Sequence, residues 1–89
     1  MNAQELKQRH SEYNAIRLQG WNADKFRSMY IEEELILHIL LECEVFYLRN
    51  SETESLALMF ARDAYPETTI EDLMQVYSKY ADTVTEIYG

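Results

Sequence analysis

Apolar residues recur along this chain at the spacing of helices rather than in the alternation of strands. In residues 3–18, the side chains that lie three or four positions apart are Leu6, His10, Tyr13 and Ile16. Such spacing places them on one face of a helix, and Gly20 follows at the position of a C-cap glycine. The chain has only two glycines and one proline, too few for the frequent turns of a β-protein. The sequence therefore predicts an all-α fold.

A second helix is predicted over residues 22–49, with Asn22 as its N-cap. Its second half, residues 35–48, is apolar nearly all round, and a helix without a polar face must be surrounded by protein. A strand over residues 35–41 is the local alternative, because short Ile-Leu runs are ambiguous by periodicity alone. The acidic residues before this run and the absence of turn residues favour one continuous helix, which we expect to be central.

Two capping boxes predict where the last two helices begin. A capping box is a Ser or Thr followed three residues later by a Glu or Gln, whose side chains satisfy each other's backbone amides. The boxes in this chain are Ser51 with Glu54 and Thr68 with Glu71. They predict a third helix over residues 52–65, which Pro66 terminates, and a fourth helix over residues 69–88.

Both of these helices have an apolar face, and the third helix is expected to bury its own. In the third helix it consists of Leu56, Met59 and Phe60. In the fourth it follows a repeat of three and four: Ile70, Leu73, Met74, Tyr77, Tyr80, Ala81, Val84, Ile87 and Tyr88. The predicted architecture is a compact four-helix domain over residues 1–89, with helices at about 3–18, 22–49, 52–65 and 69–88 and the second helix central.

Charge divides the chain into two unequal parts. The whole sequence has 16 acidic and 8 basic residues, a net charge of −8. Residues 1–27 hold five basic and three acidic side chains, whereas residues 28–89 hold three basic and thirteen acidic ones. Such an excess of carboxylates repels the phosphate backbone, so we expect no direct binding to nucleic acid. The single Cys excludes an internal disulfide framework and a Cys-rich zinc site.

The sequence contains few residues that could form a catalytic or metal-binding site. Glu34, His38 and Glu42 lie four residues apart on one helix face, but the Glu-x-x-His pairs of a di-iron bundle are missing. We therefore predict that His38 is a partly buried histidine paired with a carboxylate, and that Cys43 is a small buried hydrophobic residue. No glycine-rich phosphate loop, nucleophile elbow or zinc-protease motif is present. We expect no catalysis, no metal and no cofactor.

The sequence disfavours both a DNA-binding helix-turn-helix and a membrane-spanning segment. Residues 56–80 have the outline of the former, but the second helix would begin with Glu71 and Asp72 where a DNA-reading helix presents Arg, Lys, Asn or Gln. Residues 35–48 are too short and too charged to cross a bilayer, and no apolar signal-peptide core begins the sequence. We expect a cytoplasmic protein without membrane association.

Acidic and aromatic residues are the candidates for binding a partner. The acidic ones are Glu32, Glu33, Glu34, Glu42, Glu44, Glu52, Glu54, Glu67, Glu71 and Asp72. They predict a surface complementary to a basic protein, with a face that only keeps the protein in solution as the alternative. Seven tyrosines are too many to bury with every hydroxyl satisfied. On the fourth helix, the residues predicted to form a partner site or a homodimer seam are Tyr77, Tyr80, Ile87 and Tyr88.

In size and charge the chain resembles two broad groups of proteins, the DNA-mimic inhibitors of phages and plasmids and the immunity proteins of nuclease toxins. The first resemblance implies an anti-defence inhibitor that presents carboxylates where phosphates lie in a basic nucleic-acid-binding protein or nuclease. The second implies neutralisation of a nuclease toxin. A non-enzymatic acidic inhibitor or adaptor is the leading hypothesis. The alternatives are an immunity protein and a dimeric structural, assembly or small regulatory protein.

Overall fold

A computed structural model describes all 89 residues and contains five helices and no strand. The helices are α1 (Ala3–Arg17), α2 (Ala23–Met29), α3 (Glu32–Glu42), α4 (Ser51–Ala64) and α5 (Ile70–Tyr88). The prediction of an all-α fold is confirmed. The prediction of four helices is wrong, because residues 22–49 form two helices and a non-helical segment instead of one continuous helix.

The break between α2 and α3 lies at Tyr30 and Ile31, which both have extended backbone angles. Neither glycine nor proline marks this break. A β-branched residue such as Ile31 favours extended backbone, and the three glutamates that follow stand in the first turn of α3, where the positive end of the helix dipole favours negative charge. The acidic run is therefore a helix start, and its interpretation as the middle of a longer helix is corrected.

The end of α3 is a Schellman motif formed without glycine. The amide of Val45 donates to Leu40 O at 3.0 Å, and the amide of Glu44 donates to Leu41 O at 3.2 Å. Glu44 adopts the left-handed conformation, with φ of 62°. Val45 and Leu40 are both fully buried. Their burial holds the chain in this turn, so the apolar run to residue 48 does not continue the helix.

The caps of α4 and α5 lie one residue away from the predicted ones. Asn50 caps α4 and forms its box with Thr53, while Thr69 caps α5 and forms its box with Asp72. The predicted cap Thr68 is buried instead, and its hydroxyl donates to Tyr65 O at 2.7 Å. The cap predicted at Asn22 is confirmed, because its side chain accepts from the amide of Lys25.

The core is centred on α3, which buries every residue from position 34 to position 41. Against it, α4 presents alanines, and Ala57, Ala61 and Ala64 are its buried residues. The prediction that Leu56 and Met59 are buried is wrong, since they are 44% and 52% exposed. Small side chains allow two helices to approach closely, and the larger residues then lie outside the contact.

The last helix, α5, packs against α1, α3 and α4. Its fully or nearly buried residues are Leu73, Val76, Tyr80 and Val84. Three of the nine predicted apolar positions, Leu73, Tyr80 and Val84, are buried, and Val76 is an addition. Four are half-buried, whereas Ile70 and Tyr88 are exposed. In this five-helix arrangement, none of the helices has both the length and the apolar character needed to span a bilayer.

Candidate functional site

Polar side chains of α1 and α3 form a row along the contact of the two helices, here called the polar seam. Its members from α1 are Arg9, His10, Tyr13 and Arg17, and those from α3 are Glu34, His38 and Glu42. The contacts follow the same order along both helices, which therefore run in the same direction. Residues three, four or eight positions apart lie on one face of a helix, so each set of side chains faces the other helix.

Glu34 holds the first part of the seam together. Arg9 binds it through two parallel hydrogen bonds, Nε to Oε2 at 2.6 Å and Nη2 to Oε1 at 2.9 Å. The Nε2 atom of His38 lies 3.0 Å from Oε2 of the same carboxylate. Burial acts to raise the pKa of Glu34, but the hydrogen bonds from Arg9 and His38 outweigh it and lower the pKa overall. A charged Glu34 therefore anchors both helices.

The two histidines of the chain face each other inside the seam. Their Nδ1 atoms are 2.9 Å apart, and their rings stack at a centroid distance of 5.1 Å. Burial, together with repulsion from the charged form of His38, lowers the pKa of His10 to about 4. Burial also lowers the pKa of His38, against the opposing effect of Glu34. Both imidazoles are neutral at pH 7, so one Nδ1 atom donates a hydrogen bond and the other accepts it.

Glu42 completes the seam near the end of α3. The hydroxyl of Tyr13 donates to Glu42 Oε1 at 2.6 Å, and Nε of Arg17 donates to Oε2 at 3.1 Å. Tyr13 is fully buried, and burial together with the hydrogen bond to Glu42 raises its pKa. The predicted pairing of His38 with a carboxylate is confirmed, whereas the contribution of Arg9 and Arg17 was missed.

Four of the ten predicted acidic site residues pair with a cation of the chain, and a fifth, Asp72, accepts from the amide of Thr69 in the cap of α5. Glu34 and Glu42 belong to the polar seam, and Glu34 is only 7% exposed, so its placement on an accessible acidic patch is corrected. Glu33 accepts hydrogen bonds from Lys79 Nζ and from the Tyr80 hydroxyl. Glu54 accepts from Arg49. The structure therefore separates these residues from the free carboxylates.

The remaining predicted acids are exposed, and most lie in two grooves. The first acidic groove, of about 580 Å³, is lined by Glu32, Glu67 and Asp72, together with Arg27 and residues of the α4–α5 connection. The second acidic groove, of about 370 Å³, lies between the end of α3 and the start of α4. It is lined by Glu42, Glu44, Glu52, Cys43, Thr53 and Leu56. Glu71 is exposed on the first turn of α5 and lines neither groove.

The predicted aromatic site on α5 is largely part of the fold. Tyr80 is 7% exposed and its hydroxyl donates to Glu33, so it is not accessible to a partner or to a second copy of the chain. Tyr77 is half-buried and stacks on Phe46 at a centroid distance of 4.8 Å. Ile87 is half-buried, and Tyr88 alone of the four is exposed. The structure does not bring them together as one free surface.

Sequence reasoning missed an exposed apolar surface on α4. Leu56 lines the second acidic groove, and Met59 lies one helical turn further along the same exposed face. The signal that would have found it is the alanine stripe at positions 57, 61 and 64, whose spacing defines the opposite face. Carboxylates beside exposed apolar side chains are suited to bind a partner surface that carries both cations and apolar groups.

Two further chemistries are limited by the structure. Cys43 is buried, and burial together with the nearby Glu42 charge raises the pKa of its thiol to about 12, which suppresses the reactive thiolate. No group of three or more His, Cys, Asp or Glu side chains has an arrangement that could hold a metal ion.

Comparisons with protein-family models, with curated proteins and with solved structures give no match for this chain.

Proposed function

We propose that the protein is a non-enzymatic module that binds a basic protein through its two acidic grooves. The supporting observation is where the carboxylates without a cationic partner lie. The cations Arg9, Arg17, Arg27, Arg49 and Lys79 each pair with a carboxylate of the chain. The exposed groove carboxylates without such a partner are Glu32, Glu44, Glu52, Glu67 and Asp72.

A nucleic-acid-binding protein or nuclease is the partner class that fits this surface best, because its binding site already carries cations arranged to meet phosphates. Carboxylates in grooves attract such a site over long range and raise the association rate. Occupation of that site then inhibits the partner in the manner of a DNA mimic. An immunity protein against a nuclease toxin uses the same physics. The identity of the bound protein, a defence component or a cognate toxin, separates the two.

A matched pair of variants tests this proposal. The groove variant carries Glu32→Gln, Glu44→Gln, Glu52→Gln and Glu67→Gln, which removes four charges from the grooves. The control variant carries Glu5→Gln, Glu12→Gln, Asp82→Asn and Glu86→Gln, which removes four charges from exposed positions that line neither groove. All eight residues have no ion pair in the chain, so both variants should fold.

The tagged protein and both variants are used to capture partners from the source organism, and the captured protein is then purified for titration. We expect the groove variant to bind at least tenfold more weakly at low salt, which is about 1.4 kcal/mol, and the control variant to match the original chain. Added DNA should compete for the partner. Equal loss of affinity in both variants would show that net charge alone acts, and unchanged affinity in the groove variant would refute the proposal.

A further inference from the structure

A separate pocket of about 350 Å³ lies beside the polar seam. Lys7, Ser11 and Asn14 of α1 form its polar side, and Tyr47 and Tyr88 add aromatic rings. His10 also lines it, and we call it the histidine pocket. The pocket shares no lining residue with either groove, so its role is independent of the function proposed above.

The seam determines which nitrogen of His10 carries the proton. Glu34 is a carboxylate and only accepts hydrogen bonds, so the Nε2 atom of His38 must donate to it. The Nδ1 atom of neutral His38 then has a lone pair and accepts from Nδ1–H of His10. It follows that His10 keeps its proton on Nδ1 and has a lone pair on Nε2.

The Nε2 atom of His10 is an acceptor without a partner in the protein. His10 is 8% exposed. No side-chain nitrogen or oxygen sealed from solvent is left without a partner in this molecule, so Nε2 must reach solvent. Because His10 lines the histidine pocket, the pocket is where it does so. An acceptor that is held in one tautomer at the wall of a pocket selects a ligand that donates a hydrogen bond.

We propose that the histidine pocket binds a small aromatic acid that carries a hydroxyl group. The hydroxyl donates to Nε2 of His10, and the carboxylate is bound by Lys7, which has no ion-pair partner in the chain. The rings of Tyr47 and Tyr88, which are 50% and 41% exposed, provide planar apolar surface for the aromatic ring of the ligand. The volume of the pocket is at the lower end of the usual range for small-molecule sites.

The first test uses three probes that differ by one group each: 4-hydroxybenzoate, benzoate without the donor, and 4-hydroxybenzamide without the charge. Each is titrated into the full chain labelled with ¹⁵N, and amide shifts of Ser11, Asn14 and Tyr47 are followed. We expect 4-hydroxybenzoate to shift these amides and to bind about tenfold more tightly than either analogue, since each analogue lacks one polar contact. No shift at these amides, or equal affinity for all three, would overturn the proposal.

The second test separates Lys7 from the overall charge. We expect Lys7→Gln to weaken 4-hydroxybenzoate binding several-fold and to leave 4-hydroxybenzamide unchanged. Lys25→Gln removes the same charge outside the pocket and should affect neither probe. Equal effects of the two substitutions would refute a specific contact with Lys7. Long-range ¹H–¹⁵N spectra of the free protein should show His10 protonated on Nδ1 and unprotonated on Nε2. The opposite tautomer would refute the proposed hydrogen bond from the ligand to Nε2.

Discussion

The polar seam and the acidic grooves contain the same type of side chain in opposite surroundings. In the seam, Glu34 is nearly buried and binds both Arg9 and His38. In the grooves, Glu32 and Glu44 are exposed and have no cationic partner. Glu32 and Glu34 are only two residues apart, yet a helix turns by about 200° over that distance and directs them to different sides. One carboxylate stabilises the fold, and the other is available to a partner.

The difference teaches that the charge of a segment does not tell where its charge is available. Residues 1–27 have an excess of basic side chains, and α1 places two of them, Arg9 and Arg17, on carboxylates of α3. The acidic majority of the chain is thus partly neutralised inside the fold. The carboxylates of residues 28–89 that have no cationic partner remain exposed, and five of them line the grooves.

The largest expected effect is the loss of the seam carboxylate. Glu34→Gln keeps the size of the side chain but removes the charge that holds Arg9 and His38. Glu34 and His38 are buried, although the Arg9 side chain is 42% exposed, so the loss of the charge leaves a buried imidazole without its acceptor and we expect the free energy of unfolding to fall by about 3 kcal/mol. Urea denaturation at pH 7 measures this. Glu32→Gln is the matched control, with an expected change within about 0.5 kcal/mol, and equal effects of the two substitutions would contradict the distinction between seam and groove.

Acid should destabilise the seam next. The unfolded chain protonates His10 at its ordinary pKa of about 6.5, whereas the folded chain does so only at about 4. The unfolded state therefore binds more protons between these values, so the stability is complete above pH 6.5 and declines as the pH falls towards 4. The groups that face His10 are His38, Tyr13 and Tyr88, and those around His38 also include Arg9, Tyr30 and Glu34.

We expect a loss on the order of 2–3 kcal/mol between pH 7 and pH 4 from this effect. Urea midpoints over that range measure it. The pKa of Glu34 is lowered, so its own contribution is lost at still lower pH and does not account for the decline near pH 6. His10→Gln removes one titrating group and should flatten the profile. An unchanged slope in that variant would show that the seam histidines are not its cause.

The sequence was sufficient for helix content and for most of the core, because apolar spacing reports which faces are buried. It was insufficient where a boundary depends on tertiary contacts. The break at Tyr30 and Ile31 has no glycine or proline, and the turn at Glu44 has no glycine either. The local sequence therefore favoured one continuous helix. In α4, the large apolar residues were predicted to be buried, although it is the alanines that are buried against the core.

The candidate site was predictable only as a list of residues. Acidic side chains could be located by sequence, but which of them pair internally depends on where α1 packs. Glu33 illustrates this, since its partners Lys79 and Tyr80 lie more than forty positions away. The spacing of Arg9 and Arg17 relative to Glu34 and Glu42 contained the relevant signal, because both pairs are eight residues apart. A parallel alignment of the two helices is required before that signal can be used.

A smaller effect of opposite sign is expected in the second acidic groove. Glu44 has a left-handed backbone conformation that costs a side-chain-bearing residue free energy, and glycine adopts it without that cost. Glu44→Gly should therefore raise the free energy of unfolding by about 0.5–1 kcal/mol, even though it removes a charge. Glu44→Ala removes the same charge and keeps the unfavourable conformation, so it should not stabilise. Equal stabilisation by both would point to relief of charge repulsion instead.

The smallest effect should come from an ion pair outside the seam. Lys79 Nζ lies 2.9 Å from Glu33 Oε1, close to the distances in the seam, but the Lys79 side chain is 60% exposed. Water solvates both groups when the pair is lost, so we expect Lys79→Gln to lower the free energy of unfolding by less than about 1 kcal/mol. This loss should shrink in high salt, which screens exposed charges, while the loss in Glu34→Gln should persist. If both losses respond equally to salt, burial is not what separates the seam carboxylate from the exposed one.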